Sequence, residues 1–224
     1  MTPKAILLDL DNTLYNADKA YADSLRYLKI DQALYAEARK LVKARLPAGH
    51  VCARNRLLYF KCLLEAQGNY TPQALLSLQT RYDESLTSHI QKQWLSLGRK
   101  ELFESLAARF PLVLVTNENL RTQCVKLAAI DPDGHLFPHL VCSEEFGVEK
   151  PSRVLFQRGL DLLKLEASEC LFVGDSWEAD IVPAGEMGMP VAWSTEFLAL
   201  SPDGLDGEQS RVRRILSLDE LKAL

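Results

Sequence analysis

The segment Ala5-Ile6-Leu7-Leu8-Asp9-Leu10-Asp11-Asn12-Thr13-Leu14 constrains this chain more than any other. An apolar, strand-like run stops at two carboxylates spaced i, i+2. Side chains alternate faces along a strand, so Asp9 and Asp11 leave on the same side. In a parallel sheet they would stand at the carboxyl end of the strand, where such sheets bind ligands. Two acids held close repel each other unless a cation sits between them or one keeps its proton. The first outcome is a divalent metal site; the second is a nucleophile beside a proton donor.

The same arrangement recurs down the chain. Thr116-Asn117 follows the aliphatic run Leu112–Val115, Lys150-Pro151 follows a loop, and Gly174-Asp175, with Asp180 close behind, follows Cys170–Val173. From Gly98 onward, short apolar runs alternate with segments of helical periodicity. Strands are expected at Leu112–Val115, His139–Cys142, Cys170–Val173 and Pro190–Trp193, with helices at Lys100–Arg109, Glu118–Ala129, Ser152–Leu165 and Glu178–Met187. Strands separated by helices imply crossover connections and a doubly wound, Rossmann-like parallel sheet of the α/β class. Between Ala17 and about Leu97 the apolar residues instead repeat at helical spacing with no convincing strand. Breakers at Pro47-Ala48-Gly49 and Gly68-Asn69, and an N-cap with a following proline at Thr71-Pro72, divide this block into about four helices. The expected organisation is therefore an α/β core of residues 1–15 and 98–224, with an all-helical cap domain, 16–97, inserted after the first strand. Ser201–Arg211 reads as a surface loop and Ser217–Leu221 as a last short helix.

Size and charge narrow the function. At 224 residues the chain holds one full domain plus a smaller unit. Its net charge of -4 argues against a nucleic-acid polymer as partner, which wants a basic face. No apolar run reaches the ~20 residues of a membrane helix, and the N-terminal stretch runs straight into acids, unlike a signal peptide. The five cysteines are odd in number and scattered, which suits buried free thiols in a reducing, cytoplasmic compartment. Monomer and homodimer are equally compatible with the sequence.

Asp9, Asp11 and Asp175 at two strand ends offer hard oxygen ligands that suit Mg2+. Lys150 offers a point charge, and Thr116 and Asn117 offer hydrogen bonds. Together they match the needs of a phosphoryl group, whose equatorial oxygens must be neutralised and oriented during transfer. No histidine follows a strand, so a carboxylate is the candidate nucleophile, forming an aspartyl-phosphate. The second acid would protonate the leaving alkoxide and then deprotonate water, a role that calls for a pKa raised toward neutrality. A helical block directly after the acid pair would sit over the site as a lid.

The set Asp9-Leu-Asp11-Asn12-Thr13, Thr116-Asn117, Lys150-Pro151 and Gly174-Asp175-Ser-Trp-Glu-Ala-Asp180 resembles the haloacid dehalogenase-like (HAD) hydrolase superfamily, and the helical insert resembles its type 1 cap. The resemblance implies that Asp9 is the nucleophile and a metal ligand. It makes Asp11 the acid/base, meeting the metal through its backbone carbonyl, while Asp175 binds Mg2+ and Asp180 supports the metal shell. Thr116 would contact the phosphate with backbone help from Asn117, Lys150 would hold the nucleophile and phosphate charges together, and Thr13 would steady the loop behind Asp11. Ala179 and Glu118 depart from the residues common in relatives, asparagine and glycine respectively.

An acid at position 11 favours phosphate chemistry over dehalogenation of a 2-haloacid. A phosphomutase remains open, whereas a non-catalytic phospho-acceptor domain fits neither the chain length nor the helical block. The expected substrate is a small phosphorylated metabolite. The opening through Tyr15 looks somewhat like pyrimidine nucleotidases, so a nucleoside 5'-monophosphate comes first, with a sugar phosphate or phosphoglycolate as the alternative. Tyr15, Arg54 and Arg56 are candidate substrate contacts.

Overall fold

The structure, a computed structural model, describes residues 2–47, 49–198, 209 and 212–224. The first strand, β1 (Ala5–Leu8), is fully buried and lies at the centre of a sheet. It is followed by α1 (Ala17–Tyr27), α2 (Gln32–Ala44), a 3-10 turn at Val51–Arg54, α3 (Arg56–Ala66) and α4 (Pro72–Ser96). The chain then returns through α5 (Arg99–Ala107), β2 (Leu112–Thr116), α6 (Leu120–Ile130), β3 (His139–Cys142), α7 (Ser143–Phe146) and α8 (Arg153–Leu163). It ends with β4 (Cys170–Gly174), α9 (Val182–Glu186), β5 (Val191–Ser194), β6 (Arg213–Ile215) and a 3-10 turn at Leu218–Ala223.

All six strands are parallel, in the order β3-β2-β1-β4-β5-β6. Order reverses beside β1, so the cleft at its carboxyl end is a topological switch point. Alternation along the strands divides the core in two. Ile6, Leu8, Leu112 and Leu114 face the insertion and α5, whereas Leu7, Val113, Val115 and Phe172 face α8 and α9. Gly159 of α8 is a close-approach position, because a Cβ there would lie 2.7 Å from Leu7 Cδ2.

The four α-helices of the insertion leave and rejoin the sheet side by side. Asn16 N–H donates to Gln93 Oε1 at 2.9 Å, and Gln93 Nε2 donates to the Asn16 carbonyl at 3.1 Å. Arg99, 1% exposed, donates to the Leu14 carbonyl and pairs with Glu196. Thr71 caps α4 by accepting from Ala74 N–H, with Pro72 in the first turn.

Three expectations change. A sixth strand, β6, lies beyond the four expected after β1. The last short helix is of the 3-10 type and runs Leu218–Ala223, with Ser217 as its N-cap, so it extends past the expected Leu221. Of the cysteines, Cys62, Cys142 and Cys170 are buried, but Cys52 is half-buried and Cys124 exposed, so burial does not account for all five. The expected loop at Ser201–Arg211 lies, apart from residue 209, outside the described residues.

Candidate active site

The strand ends converge. Asp9 N–H donates to the Val173 carbonyl at 2.9 Å, which carries the β1–β4 ladder one residue past the strand and aims Asp9 into the cleft. The chain then turns sharply, with Asn12 in the left-handed region at φ 60. Asparagine tolerates that conformation better than most residues. Its side chain exchanges hydrogen bonds with Asp18, tying the turn to the start of α1.

Lys150 is the centre of the charge arrangement. Its ammonium, 5% exposed as a residue, donates to Asp9 Oδ1 and to Asp180 Oδ1, each at 2.6 Å. Asn117 fixes the lysine from behind: its Oδ1 accepts from Lys150 N–H at 2.7 Å and its Nδ2 donates to the Lys150 carbonyl at 3.0 Å. The Asn117 side chain is thereby used to position Lys150, which leaves its backbone for the phosphate contact expected of it. Asp180 sits in a π-turn, Trp177–Ile181, where its Oδ2 also accepts from Ser176 N–H. Gly174 makes room for it, since a Cβ there would lie 2.5 Å from Asp180 Oδ2.

Asp9, Asp175 and Asp180 each offer an oxygen within 4.8 Å of the others. Burial pushes Asp9 up to about 6, opposed by Lys150 and reinforced by Asp180 and Asp11. Burial, then repulsion from Asp9 and Asp180, pushes Asp175 up to about 8. Lys150 is raised despite its burial, because Asp180 and Asp9 hold its charge. Three acids share one lysine, which leaves excess negative charge among hard oxygen donors. These are the ligands Mg2+ prefers, so the residues fit the ion. Thr13 Oγ1 lies 3.4 Å from Asp9 Oδ2 and 3.3 Å from Asp175 Oδ1, and its single hydrogen serves one acid at a time. Neither Thr116 nor Asp175 caps a following turn: Asn119 caps α6 and Ser176 caps the π-turn. Thr116 Oγ1 accepts from Gln123 Nε2 at 2.7 Å, so its own hydrogen is directed elsewhere.

Asp11 departs from expectation. Its carboxylate does not join the other acids; Lys126 Nζ holds both of its oxygens, at 2.9 and 2.6 Å. Tyr15 and Tyr21 hydroxyls donate to it at 3.1 and 3.2 Å. Burial alone would raise its pKa, but the charge and hydrogen bond of Lys126, with help from Arg56 and Tyr15, bring it below the usual carboxylate value. The expected rise is therefore absent. Any contact of Asp11 with a metal would use its backbone carbonyl, because the side chain is committed.

The other candidate contacts also change. Tyr15 is fully buried behind Asp11 and does not line the cavity; Tyr21 does. The cavity, about 440 Å³, lies between the strand ends and the helical insertion. Arg54 and Arg56 line it, but each meets a carboxylate from the sheet side. Arg54 makes a two-pronged pair with Glu149 at 2.8 and 3.1 Å, and Arg56 pairs with Glu118 at 2.7 Å while stacking 4.1 Å over the Tyr21 ring. Lys126, Gln123, Tyr21 and Glu149 escaped sequence reasoning. The available signal was in α6, where Gln123 and Lys126 interrupt the buried face that ends at Ile130.

With this geometry in place, a family model for haloacid dehalogenase-like hydrolases matches residues 3–188. The chain belongs to that family. It is 34% identical over 201 residues to the ribulose-1,5-bisphosphate 5-phosphatase of Halopiger xanaduensis, covering 83% of this chain and 82% of that one. It is 30% identical over 200 residues to the glyceraldehyde 3-phosphate phosphatase of Methanocaldococcus jannaschii, with 83% and 82% covered. The magnesium-bound HAD-hydrolase YfnB of Bacillus subtilis shares the fold, with a TM-score of 0.67, 23% identity, and 100% and 98% of the two chains covered. The protein is a phosphoric monoester hydrolase acting on small phosphate substrates.

Proposed function

We propose that the chain hydrolyses a phosphate monoester through an aspartyl-phosphate on Asp9. The observation that carries this reading is Lys150 Nζ bridging Asp9 and Asp180, with Asp175 completing the acid cluster. Lys150 holds Asp9 ionised and aimed, despite a burial that favours its neutral form. One carboxylate oxygen of Asp9 attacks phosphorus, the bond to the leaving oxygen breaks, and the leaving alkoxide takes a proton from Asp11. Water then attacks phosphorus, Asp11 takes its proton, and Asp9 recovers its carboxylate. Asp11 starts ionised in this geometry, so the first half requires a proton on the Asp11–Lys126 pair; a Lys126 N–H at 2.6 Å is the nearest source. Thr116 is left with a hydroxyl hydrogen for a phosphoryl oxygen. Asp9, Asp175 and Asp180 would hold Mg2+, with the Asp11 backbone carbonyl, and the ion supplies charge neutralisation between the acids and the phosphoryl oxygens.

In this reading residues 1–15 and 98–224 form the catalytic core and 16–97 a cap that excludes water during the reaction. Arg54 and Arg56 then act as ties between cap and core ahead of substrate contact. The ribulose-1,5-bisphosphate 5-phosphatase and the glyceraldehyde 3-phosphate phosphatase named above act on phosphorylated sugars, which supports a sugar-type phosphate ahead of the nucleoside monophosphate suggested by the opening motif. No helix among the described residues is long and apolar enough to cross a membrane, and five free cysteines suit a reducing, cytoplasmic setting.

The test is Asp9→Asn in a Mg2+-dependent assay with p-nitrophenyl phosphate and a panel of sugar phosphates and nucleotides. The expected result is loss of kcat by at least ~10³-fold with the fold intact by circular dichroism. Near-normal turnover by the variant would refute Asp9 as nucleophile.

A further inference from the structure

The cavity has two charged ends. Its floor, at the strand ends, carries Asp9, Lys150, Thr116 and Asp175, which meet the needs of one transferring phosphoryl group. Its roof carries cations as well. The helix α2 turns one side to the cavity, with Gln32, Ala36, Arg39 and Lys43 recurring at three- and four-residue spacing along its lining. Arg54 and Arg56 also line the roof, but Glu149 and Glu118 neutralise them. Arg39 and Lys43 have no carboxylate partner among the described residues. They sit one turn apart on one helix face, and their like charges repel unless an anion lies between them. Burial and the neighbouring charges of Arg39 and Arg54 lower the pKa of Lys43, against the smaller opposite pull of Glu149 and Glu118.

A pair of uncompensated cations is unnecessary for the phosphoryl group on the floor. We infer that Arg39 and Lys43 form a second anion subsite, and that the preferred substrate carries, on its leaving group, a further phosphate or carboxylate that reaches the roof. This deepens the phosphatase reading and rests on it. Charge-assisted hydrogen bonds from a fork-shaped guanidinium and an ammonium suit either anion. The substrate thus spans the cavity, with its scissile phosphate below and its second charge above. A monophosphate with a neutral leaving group would leave the upper cations unanswered.

Matched substrate pairs test this in the full chain with Mg2+. Fructose 1,6-bisphosphate against fructose 6-phosphate probes a second phosphate. 3-Phosphoglycerate against glyceraldehyde 3-phosphate probes a carboxylate at an almost unchanged size. The wild type is expected to prefer the doubly anionic member of at least one pair by about tenfold or more in kcat/KM. The pair that responds identifies the anion. In R39Q/K43Q the ratio within that pair is expected to fall by about 10- to 100-fold, the range for hydrogen bonds to charged groups. The charge-retaining R39K/K43R should keep most of the preference, which a purely structural role would not predict. Equal kcat/KM within both wild-type pairs would overturn the subsite, whatever the variants do. An unchanged ratio in folded R39Q/K43Q would also overturn it. If none of the four compounds nor p-nitrophenyl phosphate is turned over, the underlying phosphatase reading fails instead.

Discussion

The Arg56–Glu118 ion pair joins the helical insertion to the turn after β2, and its contribution is measurable. The two side chains are 11% and 4% exposed, so breaking the pair strands a charge away from water. Removing one partner of such a buried pair typically costs about 3–5 kcal/mol. The two halves should not cost the same. Glu118 keeps hydrogen bonds from Asn119 N–H and Nδ2, at 3.1 and 2.8 Å, after Arg56 is lost. Arg56 keeps the Tyr21 ring but no carboxylate at hydrogen-bond distance among the described residues after Glu118 is lost. Glu118→Gln should therefore cost about 3 kcal/mol and Arg56→Met about 2 kcal/mol, with the double variant near the worse single one. The expected coupling is then about 2 kcal/mol, within the range for contacting residues. Thermal unfolding would register Glu118→Gln as a Tm drop of roughly 6–12 °C for a chain of this size. A double-mutant cycle by urea unfolding reads the coupling directly. A coupling under about 0.5 kcal/mol would mean that the pair is not held in solution, and the closed arrangement of insertion and sheet would not be the populated one.

Three other outcomes follow from the site. Lys126→Met removes the main counter-charge on Asp11, so the Asp11 pKa rises and its limb in the pH profile of kcat/KM moves to higher pH; superimposable wild-type and K126M profiles would discount the pairing, and Lys126→Arg should shift far less. Asp9 and Asp175 titrate above the ordinary aspartate value when folded, so each adds stability that is present below about pH 4 and lost as pH rises through about 6 and 8. Metal-free protein should accordingly lose Tm between pH 4 and 8. Mg2+ should restore most of it at pH 8 and little at pH 5, because its ligands must first shed their protons. Gly174→Ala drives a methyl group into Asp180, and the expected result is a loss of activity larger than the loss of stability, checked by steady-state assay beside calorimetry.

The parts of the site that lie at strand ends were legible because strand and motif are contiguous. Aliphatic runs marked β1, β2 and β4, and the polar residues just after them are the ones that meet in space. The surroundings of Asp11 were not legible. Lys126 lies 115 residues away, and only the folded crossover brings its ammonium to the carboxylate. The proton-transfer role expected of Asp11 calls for a raised pKa, whereas the Lys126 counter-charge reverses the sign. Arg54 and Arg56 were recognised as cationic and near the site, but their partners, Glu149 and Glu118, sit in loops from the other side of the cleft. β6 was missed because Arg213-Arg214-Ile215 buries one residue and exposes charge, as an edge strand does to discourage further pairing.

Tyr21 connects two things that are usually considered apart. It rides on the first helix of the insertion, yet its hydroxyl reaches Asp11 and Lys126. Only ten residues of continuous backbone separate it from the acid it steadies. Swinging the helices away from the sheet would draw this phenol off the acid and part Arg56 from Glu118. Under the proposed mechanism, proton delivery would then be armed only with the lid down, and a solvent-filled, open molecule would also be a chemically idle one.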